Sequence, residues 1–322
     1  MRAVQITSLA GPSALEVVDV EEPAAGADTV VVDVHVAGVT FPEVLQSRGE
    51  YQLKPPLPFV PGSEVSGVVR SAPEGSGLAA GQRVAAFPGL GGFAEVVAVS
   101  PQMVFPLPDG VSFEAGASLP MNYLTVHFGL VRRGQLRPGE TVLVHGAAGG
   151  VGTAAVQLAS ALGARVVAVV SSAGKIETAK AAGADEVVLA DGFKDAVKQL
   201  TGGRGVDLVV DPVGGDRFTD SLRSLAREGR LLVIGFTGGE IPQVKVNRLL
   251  LNNISVVGVG WGAFWTAEPT YLQEQWADLL PLLEAGKLDP VLGRSFPLER
   301  AADALLELDE RRATGKVLLT VR

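Results

Sequence analysis

The segment VLVHGAAGGVGTAAVQLASALGARVVAVVSS, Val142 to Ser172, constrains the fold more than any other part of the chain. An apolar run leads into a turn crowded with glycine. A helical pattern follows, with Val151, Ala155, Leu158 and Leu162 about one turn apart on one face, and then a second apolar run. A helix between two such runs is the crossover that parallel strands require. Small residues at Gly152, Ala154 and Ala155 allow that helix to lie close to the sheet.

The alternation continues for a hundred residues. Apolar runs occur at 141–145, 165–170, 186–189, 206–211, 230–235 and 253–259, with helix-like stretches between them. Short runs rich in Val, Ile and Leu suit strands covered on both faces, so the expectation is a doubly wound, six-stranded parallel sheet over about 121–260. Residues 1–120 differ. Short stretches such as TVVVDVHV and GGFAEVVAVS, separated by Gly and Pro clusters, predict a mostly antiparallel, β-rich domain. After about Gly260, a helix-like YLQEQWADLLPLLEAG leads to a last strand, KVLLTV, that needs a partner. The span 261–322 is therefore expected to complete the first domain.

Composition removes several functions. Cys is absent, which excludes disulfides, a thiol nucleophile and thiolate-based zinc sites. His35, His127 and His145 are scattered without the i, i+4 spacing of a metal pair, so no metal is expected and each reads as an ordinary strand or helix residue. A formal charge of -8 gives no field for nucleic acid or anionic lipid. The Gly202–Gly205 stretch, GGRG, reads as a loop rather than an RNA-binding element, and no G-x-S-x-G occurs. The N-terminal residues lack a signal-peptide core, and no run approaches the roughly 18 apolar residues of a membrane helix, so a cytoplasmic protein with no membrane partner is expected.

Five stretches carry a family signature: 37–69 (AGVTFPEVLQSRGEYQLKPPLPFVPGSEVSGVV), 119–130 (LPMNYLTVHFGL), 142–159 (VLVHGAAGGVGTAAVQLA), 209–216 (VVDPVGGD) and 313–321 (ATGKVLLTV). Together they resemble the medium-chain dehydrogenase/reductase superfamily, in its zinc-free NADPH:quinone oxidoreductase (zeta-crystallin-like) branch. The resemblance covers nearly the whole chain in order. It implies an α/β protein in which a GroES-like β-rich catalytic domain is interrupted by a Rossmann domain.

The glycine turn must bring bare backbone N–H groups to a pyrophosphate at a helix N-terminus, and Gly149, Gly150, Val151 and Gly152 are the candidates. In register with G-x-G-x-x-G, Ala147 replaces the first glycine, as this branch commonly shows, and Gly146 could take part of the turn. At the end of the second strand, where a carboxylate would select NAD, the chain has Ser171, Ser172 and then Lys175. Hydroxyls and an ammonium there favour a 2′-phosphate, hence NADPH. The plainer readings are a solvated lysine and a serine helix cap.

The resemblance places Thr40, Phe41, Pro42, Tyr51, Asn122 and Thr125 along the cleft for the nicotinamide end. It implies Thr125 near the nicotinamide ribose and backbone contacts from Gly235, Phe236, Thr237, Val259, Gly260 and Trp261. Lys316, in the terminal match, joins the cofactor-side set. Where Thr40 stands the family often has Asn, so this chain offers a hydroxyl there in place of an amide. Tyr51 and Thr125 are the candidate catalytic side chains. Tyr51 is the best phenol to face a substrate ring, its alternative being a packed tyrosine at a loop edge. Trp261, Phe264 and Trp265 could line a planar substrate, pack a core or form a dimer contact.

The expected activity is hydride transfer from NADPH to a quinone or a related electron-poor acceptor, without zinc. Two alternatives stand beside it: an enoyl or alkenal reductase acting on a 2-enoyl thioester, and an NADPH-binding structural or RNA-binding protein. A homodimer is expected through the last Rossmann strand, around Ile254–Val259, which the family tends to pair across subunits.

Overall fold

A computed structural model describes every residue from Met1 to Arg322. The chain divides into two compact units. The first comprises Met1–Met121, Pro269–Glu284 and Leu292–Arg322; the second comprises Asn122–Glu268 and Ala285–Val291. Residues 261–268 and 285–291, expected in the first unit, thus cluster with the second. Buried side-chain bonds draw in the later stretch. Gln157 donates from Nε2 to the Asp289 carbonyl at 2.5 Å and accepts the Asp289 N–H at 3.1 Å, while the Tyr123 hydroxyl donates to Gln157 Oε1. Phe264 secures the earlier one by packing on Phe128, ring centroids 5.0 Å apart. Periodicity carries no trace of such contacts.

The second unit holds six strands: β1 Thr141–His145, β2 Arg165–Val170, β3 Glu186–Leu189, β4 Val206–Asp211, β5 Leu225–Val233 and β6 Ser255–Gly258. Their spatial order is β3-β2-β1-β4-β5-β6, and every pairing is parallel. This is the doubly wound sheet the alternation predicts. All five residues of β1 are buried, as a central strand covered on both faces must be. The direction of strand order reverses between β1 and β4, and ligands of such sheets bind in the crevice outside the strand carboxyl ends at that point. Strand β5 begins five residues before the predicted run. A register shift against β4 and a positive φ of 64° at Glu228 admit the polar AREG stretch into it.

The first unit is built on the long strand Val30–Val39, which pairs antiparallel with Glu64–Ser71, Val96–Val99 and Lys316–Thr320. The C-terminal strand therefore finds its partner in the β-rich unit. Val32, Val34, Val65, Phe93, Val317 and Leu319 share its core. A helix, Phe41–Ser47, leaves the end of the long strand. No helix of the protein is long and apolar enough to cross a membrane.

Candidate cofactor and substrate site

In the second unit the site is made of backbone. Helix α1, Gly150–Ala161, starts directly after β1, and its N-cap, Gly149, has no side chain to satisfy the first N–H groups. The left-handed residue of the turn is Gly146, at φ 59°, while Ala147 is fully buried and donates its N–H to the Val169 carbonyl. The tight-turn role of the missing first glycine is thus met one position earlier. A Cβ on Gly152 would lie 2.0 Å from Gly146 O, so this glycine is required for helix and strand to approach. A Cβ on Gly150 would lie 2.7 Å from the Asn122 amide nitrogen, which sits beside the helix start on a residue only 5% exposed. A Cβ on Gly149 would meet nothing closer than Gly146 O at 3.5 Å, so this position has room beside it.

The loop after β4 forms the other wall of the crevice. Asp211 Oδ1 accepts the N–H groups of Val213 and Gly214, both at 2.9 Å, and Val213 reaches within 3.3 Å of a Cβ placed on Gly146. Thr237 donates its N–H and its hydroxyl to the Pro212 carbonyl, so Gly235–Thr237 lies against the same loop with Phe236 exposed. Beyond β6, Val259 and Trp261 are buried while Gly260 is exposed. Trp261 packs on Trp265, and Arg132 stacks over Phe264 at 4.5 Å, so this aromatic cluster is engaged inside its own unit. Thr125 is half-buried on the helix Pro120–His127.

At the end of β2, Ser171 and Ser172 are exposed and no carboxylate stands between them and Lys175. Ser172 occupies the N-cap of the next short helix, yet its side chain makes no capping bond. Lys175 is half-buried, and burial pulls its ammonium below the ordinary value. These features fit a ligand carrying a 2′-phosphate.

His145 closes β1 in full burial. Its Nε2 lies 2.8 Å from the Ser221 hydroxyl, which itself donates to the Arg217 carbonyl, so the ring carries its proton on Nε2. Nδ1 has no partner, Phe193 meets the ring edge-on, and burial lowers the pKa to about 4. The sequence shows only an ordinary histidine where the structure has this neutral tie between β1 and the helix Phe218–Ser224.

The first unit carries its own cluster of buried polar side chains. Glu43, 1% exposed, closes a capping box at the start of the helix Phe41–Ser47: its Oε2 accepts the Thr40 N–H at 2.7 Å and the Thr40 hydroxyl. Its Oε1 accepts the Ser63 N–H at 3.0 Å and the Ser63 hydroxyl at 2.7 Å. Tyr51 is half-buried, and burial together with the Glu43 charge raises the pKa of its phenol. Phe41 and Pro42 are half-buried beside this group.

Lys316 lies elsewhere in the unit. Its ammonium is ion-paired with Glu64, both side chains being almost wholly buried, and Glu64 also accepts the Met121 N–H at 2.7 Å. Burial pushes the Glu64 carboxyl up, against the pull of Lys316. With its ammonium engaged inside the sheet, Lys316 leaves the cofactor-side set. Sequence reasoning misses both Glu43 and Glu64, although the T-x-x-E spacing of a capping box is a legible signal for Glu43.

A β-rich unit together with a doubly wound sheet that has a bare-backbone helix N-terminus at its switch point defines a dinucleotide-binding oxidoreductase architecture. Comparisons with known proteins place the chain more closely. The Alcohol dehydrogenase GroES-like domain family matches residues 26–109, and the Zinc-binding dehydrogenase family matches residues 150–285. The chain is 40% identical to Quinone oxidoreductase-like protein 2 of Rattus norvegicus, over 100% of this chain and 92% of that one. A probable oxidoreductase from Mycobacterium abscessus is 48% identical with a TM-score of 0.92, covering 100% and 99% of the two chains. The quinone oxidoreductase of Thermus thermophilus, solved also with NADPH, is 39% identical with a TM-score of 0.86 over 100% of both. The chain belongs to the medium-chain dehydrogenase/reductase superfamily, in its zinc-free quinone oxidoreductase branch, and is an oxidoreductase of that family.

Zinc, which one matching family's name implies, does not fit these residues. Cysteine is absent, and nowhere do three His, Cys, Asp or Glu side chains gather to hold a metal.

Proposed function

We propose that this chain is an NADPH-dependent quinone reductase. The observation that carries the reading is the uncapped, glycine-built N-terminus of α1 at the strand-order reversal, together with a β2 end that offers Ser171, Ser172 and Lys175 instead of a carboxylate. The N–H groups of Gly150, Val151 and Gly152 would hold the pyrophosphate. Ser171, Ser172 and Lys175 would hold the 2′-phosphate, and Asn122, Thr125 and the Gly235–Thr237 and Val259–Trp261 segments the nicotinamide end. Bound NADPH supplies a hydride.

The residues of the chain do the rest. Thr40, Phe41 and Pro42 shape the acceptor side, and half-buried apolar surface there excludes water and favours a flat ring. A quinone draws electron density by its own carbonyls and takes protons from water, so no metal is needed to polarise it. Tyr51, held protonated, can give a proton to an acceptor that needs one on carbon. That same phenol favours a second reading, reduction of an electron-poor alkene such as a 2-enoyl thioester.

A rate panel with purified protein tests the choice. NADPH with a quinone is expected to turn over, NADH much less so. Strong turnover of 2-enoyl thioesters with none of quinones would overturn the assignment in favour of the second reading. We further propose a cytoplasmic homodimer joined at the open edge of β6, next to which Val246, Leu250 and Leu251 stand 71%, 75% and 74% exposed. Sedimentation as a monomer would remove the dimer.

A further inference from the structure

A buried carboxylate is costly unless its lone pairs are filled, and Glu43 has both oxygens filled by two donors each. Only half of this is explained locally. The capping box accounts for Oε2 and the Thr40 end. Oε1 serves a different segment, the loop before the strand Glu64–Ser71, where Ser63 stands twenty residues further along the chain.

The two segments so joined are the turn that opens the helix Phe41–Ser47 and the loop that leads into the strand Glu64–Ser71. Here Thr40 and Ser63 stand in those segments, and both direct their hydroxyl hydrogens to one carboxylate. Neither hydroxyl has a hydrogen left for a substrate carbonyl. Of the polar groups around Glu43, the Tyr51 phenol alone keeps its proton for another acceptor.

We propose that Glu43 is the tie between these two segments, a positioning residue that holds the Thr40 turn and the Ser63 loop in register for hydride transfer. The inference rests on the reductase reading above.

The test uses the full-length protein with NADPH and a quinone, at a temperature well below the unfolding midpoint of every variant. Ser63→Ala removes the hydroxyl bond across the two segments, keeps the Ser63 N–H bond to Oε1 and leaves the capping box. Glu43→Gln keeps the shape but turns an amide N–H₂ toward two donors. Each is expected to lower kcat at least about ten-fold with the acceptor KM changed much less, and the double variant to be no slower than Glu43→Gln alone, since both changes cut one tie. A kcat within about two-fold of the parent for Ser63→Ala, with only the thermal midpoint lowered, overturns the proposal and leaves Glu43 a helix cap. Should Glu43→Gln fail to fold, Ser63→Ala decides alone. Parent activity is the separate control: a parent without turnover removes the reductase reading, whereas an active parent with equally active variants removes only this inference.

Discussion

The two units carry candidate sites built from different materials. Around α1 the proposed binding groups are main-chain N–H groups, and side chains matter by their absence, as at Gly149, Gly150 and Gly152. Around the helix Phe41–Ser47 they are side chains, and one buried carboxylate gathers Thr40 and Ser63. A backbone site is sensitive to added atoms. A side-chain site is sensitive to changed donors and acceptors.

The largest test of that contrast is Gly152→Ala. Alanine ordinarily stabilises a helix interior by about 1 kcal/mol, but here its methyl would overlap Gly146 O. A loss of about 3 kcal/mol or more is expected in urea unfolding, while Gly149→Ala stays within about 1 kcal/mol of the parent. Equal losses at both positions would break the account of the turn.

His145 offers a comparable effect that depends on pH. Its pKa is about 4 in the folded protein against 6.5 ordinarily. Below pH 6.5 the unfolded chain takes up a proton that the folded one refuses, so stability falls with pH until about 4, where the folded ring also titrates. This one group accounts for about 3 kcal/mol across that window. The stability difference between the parent and His145→Asn, measured by urea unfolding across the same window, should shrink by that amount as the pH drops; a constant difference would mean the ring is not held neutral.

Tyr51→Phe probes the side-chain site. Loss of a proton donor typically slows a dependent step about 100-fold. That loss is expected with an enone acceptor and not with a quinone, and an equal loss with both would assign Tyr51 a packing role. Lys175→Ala, the smallest of the four, removes one charge-assisted contact worth about 1.5 to 3 kcal/mol. NADPH binding measured by fluorescence should weaken about ten-fold or more while NADH binding is unchanged. A loss shared equally by both cofactors would remove Lys175 from the 2′-phosphate pocket.

Legibility follows the same division. Six apolar runs at crossover spacing predict the parallel sheet, and the glycines predict the turn, because period and missing side chains are written in the linear sequence. The Ser171, Ser172, Lys175 stretch is equally plain. Lys316 is not, since nothing local says that a lysine in KVLLTV lies opposite Glu64, 252 residues earlier. Glu43 is visible as a helix start, but its bond to Ser63 is not.

By itself, then, the sequence determined a doubly wound sheet, a bare-backbone glycine turn at a helix start, the absence of thiolate zinc ligands and a second strand that ends without a carboxylate. All of these depend on residue type and near spacing. Only the tertiary structure decided that Gly146 supplies the left-handed turn, that Lys316 answers Glu64, that His145 is held neutral and that Glu43 joins two distant loops. Those depend on which side chains meet in burial, where low dielectric and unfilled lone pairs set the energy, and chain order does not encode that directly.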